Sequence, residues 1–196
     1  MRRIRCVWLI IAVGAVIQLV LGASSLAQFV SEEISVRVHG DYCMLDGRYE
    51  FRNTEDHAAL WPIFYPLLNT SSIPLADSIW IHDAVTGERL PFERGVSGVS
   101  FALNLPPSAS RAVCISYRQL TPKDRMEYIL TTTKRWGRPL ERAIFRVVVP
   151  DSLKLTHISI PCDSLAKRGH DVEYLIRKKA FMPSSNFIIE WERRRK

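Results

Sequence analysis

The chain has 196 residues and a formal net charge of +7, with 47% apolar residues. That suits one domain with a sizeable core and excludes a disordered or collagen-like chain. The charge is concentrated at the ends: Arg2, Arg3 and Arg5 open the sequence, and Arg193, Arg194, Arg195 and Lys196 close it. The body between is close to neutral, which argues against a nucleic-acid binder with a basic face.

The first predicted element is a secretory signal. Behind the three arginines, Cys6 to Leu21 is almost wholly apolar, with only Gln18 polar, and Ser25 and Ala27 stand at the −3 and −1 positions before Gln28. This is the order of a cleavable export segment, so residues 1–27 are expected to be removed. The apolar core is short of the ~20 residues that cross a bilayer, which weighs against an uncleaved anchor, the one route by which a membrane would be involved. Residues 28–192 are the expected folded domain and 193–196 a basic tail. Such a tail either meets anionic lipid or cell-wall polymer or is a solvated end; the second reading is the simpler.

In chain order, Ile34, Val36 and Val38 alternate with polar neighbours, and Cys43, Leu45, Gly47, Tyr49 and Phe51 form a second apolar row. Period two marks strands with one buried face. Gly47 inside its row predicts a bulge or a close backbone approach. Ala58 to Tyr65 is the least polar run and is expected to be buried on both sides. Pro62 and Pro66 restrict it to an edge or an irregular strand. Strands are further expected over Asp77 to His82, Val99 to Leu105, Val113 to Tyr117, Leu153 to Ile160, Val172 to Ile176 and Phe187 to Trp191. The best-specified unit is Tyr128 to Pro150. Its arms, Tyr128 to Thr133 and Ala143 to Val149, are expected to pair as a hairpin around Lys134-Arg135-Trp136-Gly137-Arg138-Pro139. Asp163 to Arg168 is the only short helical candidate. Together these elements predict an all-β fold, an antiparallel β-sandwich, immunoglobulin-like in the broad sense, behind an N-terminal helical signal segment.

Chemistry is sparse. Histidines 39, 57, 82, 157 and 170 make no HxxxH or HExxH pair, and His57 with Glu55 and Asp56 reads as a polar turn before it reads as a metal site. Gly95-Val96-Ser97-Gly98-Val99 lacks the final glycine of a nucleophile elbow. Three cysteines remain after cleavage, Cys43, Cys114 and Cys162, an odd number whose pairing stays open. Cys43 is expected to be buried and Cys114 to point outward. No cofactor or metal is expected. The feature with recognition character is the loop Lys134, Arg135, Trp136 and Arg138, since Trp and Arg dominate protein contact surfaces. Against it stands the reading that Trp136 folds back onto the sheets while the basic side chains are solvated.

Tyr49-Glu50-Phe51-Arg52-Asn53 followed by Trp61-Pro62-Ile63-Phe64-Tyr65-Pro66, and later Thr132 to Leu140, resemble exported bacterial domains of uncharacterised function. The front half is also similar to the module at the head of inter-alpha-trypsin inhibitor heavy chains. The resemblance implies an exported β-sandwich and carries over no functional residue. The expectation is a non-catalytic binding or structural protein of the cell envelope, with a protein or envelope polymer as partner and no nucleic acid. The alternatives are a thiol-dependent hydrolase or redox enzyme using Cys162 or Cys114, and a membrane-tethered subunit of an envelope assembly.

Overall fold

The structure, a computed structural model, describes residues 27–194; the expected signal segment, residues 1–27, lies outside them except for its last residue, Ala27, which opens the first strand. The described residues are mostly β. The first strands are β1 (Ala27–Val38), β2 (Tyr42–Asn53), β3 (Ala59–Pro66), β4 (Ser78–Asp83), β5 (Glu93–Gly95), β6 (Gly98–Leu105) and β7 (Ser110–Leu120). After β8 (Arg125–Tyr128) comes a 3-10 helix, Thr131–Trp136. The remaining strands are β9 (Leu140–Pro150), β10 (Leu153–Ile158), β11 (Ser164–Arg168), β12 (Asp171–Phe181) and β13 (Phe187–Arg193).

A seven-stranded sheet runs β11-β12-β9-β1-β2-β7-β4, and two three-stranded sheets, β10-β13-β8 and β3-β6-β5, accompany it. The inner face of the large sheet is built from the apolar rows of its central strands, such as Cys43, Leu45, Tyr49 and Phe51 on β2 and Phe145, Val147 and Val149 on β9, all buried. Phe145 meets Phe187 of β13 with ring centroids 5.1 Å apart, and Tyr49 meets Tyr65 of β3 at 5.4 Å. Each small sheet therefore covers one half of the large one. The halves follow the chain: residues 42–120 build one, residues 125–193 the other, and β1 is hydrogen-bonded to both.

That arrangement overturns the expected hairpin. β8 pairs with β13, Tyr128 opposite Phe187, while β9 lies between β1 and β12 in another sheet. An apolar row states that a face is buried and leaves open which strand lies alongside. Nor is the first arm a strand throughout, because Thr131–Trp136 winds into the 3-10 helix, closed by Gly137 at φ 70°. A left-handed residue at that point ends the helix, and glycine takes it without steric cost.

The sheets are antiparallel but for one pair. β1 runs parallel to β9, with Ile34 opposite Phe145 and Val36 opposite Val147. A parallel neighbour needs a long crossover, here most of the chain, which local patterning does not signal. Asp163 to Arg168, expected as helix, is largely β11, an exposed edge strand paired with β12. β3 is an edge strand, as its prolines require, but it is buried on one face only: Leu60 and Phe64 are 71% and 51% exposed.

Candidate binding site

Near the middle of the large sheet, on its inner face, β1 carries a carboxyl group among mostly apolar neighbours. In β1 the register shifts between Phe29 and Ser31, so Phe29 faces Phe51 and Glu32 faces Tyr49. Unbroken alternation from Phe29 would have turned Ser31 inward; the extra residue puts Glu32 in line with Ile34 and Val36 instead. Glu32 is 1% exposed. Burial pushes its carboxyl up to about 8, against a smaller opposing effect from the hydrogen bond of Tyr128. Near neutrality the group therefore holds a proton, as a buried acid without a cation beside it should.

Four tyrosines, each from an apolar row of a different strand, converge beside it. Tyr128 of β8 reaches Glu32 Oε2 at 3.1 Å and the Tyr49 hydroxyl at 3.2 Å; Tyr49 and Tyr65 hydroxyls are 2.7 Å apart. Tyr117 packs edge-on against Tyr65 at 6.2 Å. Burial, the first cause in each case, holds all four phenols well above their ordinary range. Each hydroxyl has a single hydrogen, so the chain has two orientations. With an ionised Glu32, Tyr128 donates to it, Tyr49 to Tyr128 and Tyr65 to Tyr49. With the proton on Oε2 every donation runs the other way.

Gly47 makes the arrangement possible. The phenol of Tyr49 lies back along its own strand, and its hydroxyl occupies the place where a Cβ on residue 47 would stand. The sequence signal for a close approach at Gly47 is thus accounted for by a ring.

A cavity of about 50 Å³ opens between this cluster and the 3-10 helix, lined by Glu32, Phe29, Phe51, Tyr128, Thr133 and Trp136 among others. Phe29 and Phe51 stack at 5.2 Å, and Trp136 tilts against them at 5.8 and 5.6 Å. Glu32 Oε1, which is buried, has no hydrogen-bond partner. An unpaired buried oxygen costs stability and needs a reason.

The residues singled out in the sequence divide here. Trp136 is half-buried against Phe29 and Phe51 and forms a wall of the cavity, while Lys134 and Arg135, in the last turn of the 3-10 helix, are exposed. Arg138 follows the helix and is half-buried. Cys43, Cys114 and Cys162 are free thiols. Burial raises the Cys114 and Cys43 thiols, the opposite direction from an activated nucleophile. Cys162 Sγ donates to the carbonyl oxygen of Ser164 at 2.8 Å. His57 Nδ1 lies 3.1 Å from Asp56 Oδ1, and Glu55 N–H donates to Asn53 Oδ1, the geometry of a polar turn. Sequence reading missed Glu32, although stepping back two residues along the Ile34–Val38 row lands on it. A charge in apolar register was the available signal.

No family model matches the chain, and no curated protein matches it. Solved structures share its fold. A Legionella pneumophila protein described as a "putative nutrient binding protein" aligns over 86% of this chain and 68% of its own, at TM-score 0.69 and 11% identity. An M1 zinc metallopeptidase from Deinococcus radiodurans aligns over 85% of this chain and 42% of its own, at TM-score 0.53 and 13% identity. The chain thus spans less than half of the peptidase, and at these identities the likeness is one of fold.

Proposed function

We propose that this chain is an exported, non-catalytic binding domain of the cell envelope that holds a small ligand between its sheets. The observation that carries the reading is the aromatic-walled cavity whose lining includes Glu32, a buried carboxyl with one oxygen unpaired. Enclosed apolar walls with a few polar groups are the usual form of a ligand site. The stacked sheets are then a sandwich, immunoglobulin-like only in the broad sense of layered antiparallel sheets. The binding role in the description of the Legionella neighbour is of the same kind. The exposed Lys134 and Arg135, with Arg138 beyond, are the side chains such a domain would offer to a protein or envelope-polymer partner.

Two measurements test this. Titration with a panel of two- to four-atom neutral, cationic and anionic fragments, followed by the indole N–H signal of Trp136, should give saturable shifts for at least one. A panel that leaves Trp136 unmoved refutes the site. Export is tested by sequencing the N-terminus of the mature protein. A start at Gln28 supports it, and a product retaining its first residues counts against it.

A further inference from the structure

Resting on that reading, we propose that the cavity takes a small alkylammonium ion, with the Glu32 carboxylate as counter-charge and the rings of Phe29, Phe51 and Trp136 as walls. Three observations narrow the ligand to this class. The first is sign. Among the described residues that line the cavity none is Lys, Arg or His, and Glu32 is the only carboxyl, so an anion finds no counter-charge. The second is the wall. Aromatic faces carry negative charge density that attracts a cation, most strongly where water is excluded. The third is size. About 50 Å³ admits only a few heavy atoms, far below the ~300 Å³ or more of sites for larger organic ligands. An ammonium group brings N–H donors to a carboxyl of which one oxygen, Oε1, has no hydrogen-bond partner.

The empty site and the occupied site differ by a proton. The groups that face Glu32 are Tyr128 from β8 and Tyr49 from β2, while β9 sets Ala143 opposite it and the 3-10 helix contributes Thr133 to the same cavity. Both phenols are pushed well above their ordinary range, so neither titrates near neutrality. The Glu32 carboxyl, raised to about 8, is protonated in the empty site and must release that proton as the cation enters. Affinity therefore rises about tenfold per pH unit below about 8 and levels off above it.

The test is calorimetric titration of the protein with methylammonium chloride at pH 6, 7, 8 and 9. Methanol serves as the neutral ligand of equal size and sodium chloride as the control cation, with Trp136 followed by NMR. The expected result is saturable methylammonium binding that strengthens about tenfold from pH 6 to 7. At those pH values about one proton should pass to the buffer, and methanol and sodium should bind at least tenfold more weakly. Glu32→Gln, which keeps the shape and an acceptor for Tyr128, should abolish the pH dependence and weaken binding at least tenfold at pH 8. The pH series on the unaltered protein stands even if that variant does not fold. Methanol binding as tightly as methylammonium, equal binding of sodium, or a flat pH profile overturns the ammonium assignment and leaves a small-ligand site. Failure of all three to move Trp136 overturns the ammonium assignment, and failure of the wider fragment panel removes the site itself.

Discussion

Glu32→Gln removes one ionisable group from the middle of β1 while keeping the side chain's size and an oxygen to accept from Tyr128. In the native protein the carboxyl stands at about 8 against an ordinary 4.5, mainly because burial penalises the charged form. Unfolding exposes it, so between these two values the folded state holds a proton that the unfolded chain has released. The stabilisation from this group is complete below about pH 4.5 and is lost as pH rises to about 8, at close to 1.4 kcal/mol per pH unit. Over the full interval this amounts to about 5 kcal/mol, much of a small domain's stability. Urea unfolding at half-unit steps from pH 5 to 8.5, extrapolated linearly to water, measures it. Other groups titrate too. His39, held below its ordinary value chiefly by burial, adds stability as pH rises through the same region. That contribution is common to both proteins and cancels in the difference between them. The difference should grow steadily in favour of the glutamine variant up to about pH 8 and then level. Parallel curves for the two proteins would show that Glu32 ionises in place, and the account of the buried acid would fall.

Gly47→Ala places a methyl where the Tyr49 hydroxyl lies, so the ring must leave its contacts with Tyr65 and Tyr128. A loss of about 2–3 kcal/mol in urea unfolding is expected, with a changed near-ultraviolet tyrosine signal, and wild-type stability would contradict the geometry. Tyr128→Phe leaves Glu32 Oε2 without its hydrogen-bond partner, which should cost about 1–3 kcal/mol at pH 7. It should also carry the pH break of Glu32 upward, because that hydrogen bond now opposes the effect of burial. Trp136→Ala removes a half-buried ring from Phe29 and Phe51 and should lower stability by about 2 kcal/mol. Lys134→Ala and Arg135→Ala, on the exposed side of the same 3-10 helix, should stay within about 0.5 kcal/mol of the native protein by the same measurement.

Strand faces were legible in the sequence, and strand neighbours were not. The row from Cys43 to Phe51 is buried along its length, and Pro62 and Pro66 place β3 at an edge, because each follows from the chemistry of a single residue or a period of two. Tyr128 and Phe145 lie in rows just as clear, yet they belong to different sheets, since pairing is decided by residues far away in the chain. The run from Ala58 to Tyr65 read as buried on both sides because apolar composition hides a one-sided face. Leu60 and Phe64 show the error. For the site, Gly47 announced a close approach without naming the ring, and Trp136 was noticed for its chemistry but not for the cavity it walls. The convergence of Tyr49, Tyr65, Tyr117 and Tyr128 has no local signature, because it exists only once four strands from both halves have met. The register shift after Phe29 concealed Glu32, since alternation counted forward from that phenylalanine and backward from Ile34 gives opposite faces.

β1 joins two blocks that the chain builds one after the other, so it serves them as a shared seam. Its link to β2 closes over a tight turn, whereas its link to β9 waits for a segment more than a hundred residues downstream, Ser31 finding Arg142. The later bond is the slower to form, as distant contacts are. Once both are made, opening either edge of β1 disrupts a whole block. Its amides should therefore exchange with solvent only when the entire molecule unfolds, and Glu32 is carried on the strand held most tightly shut.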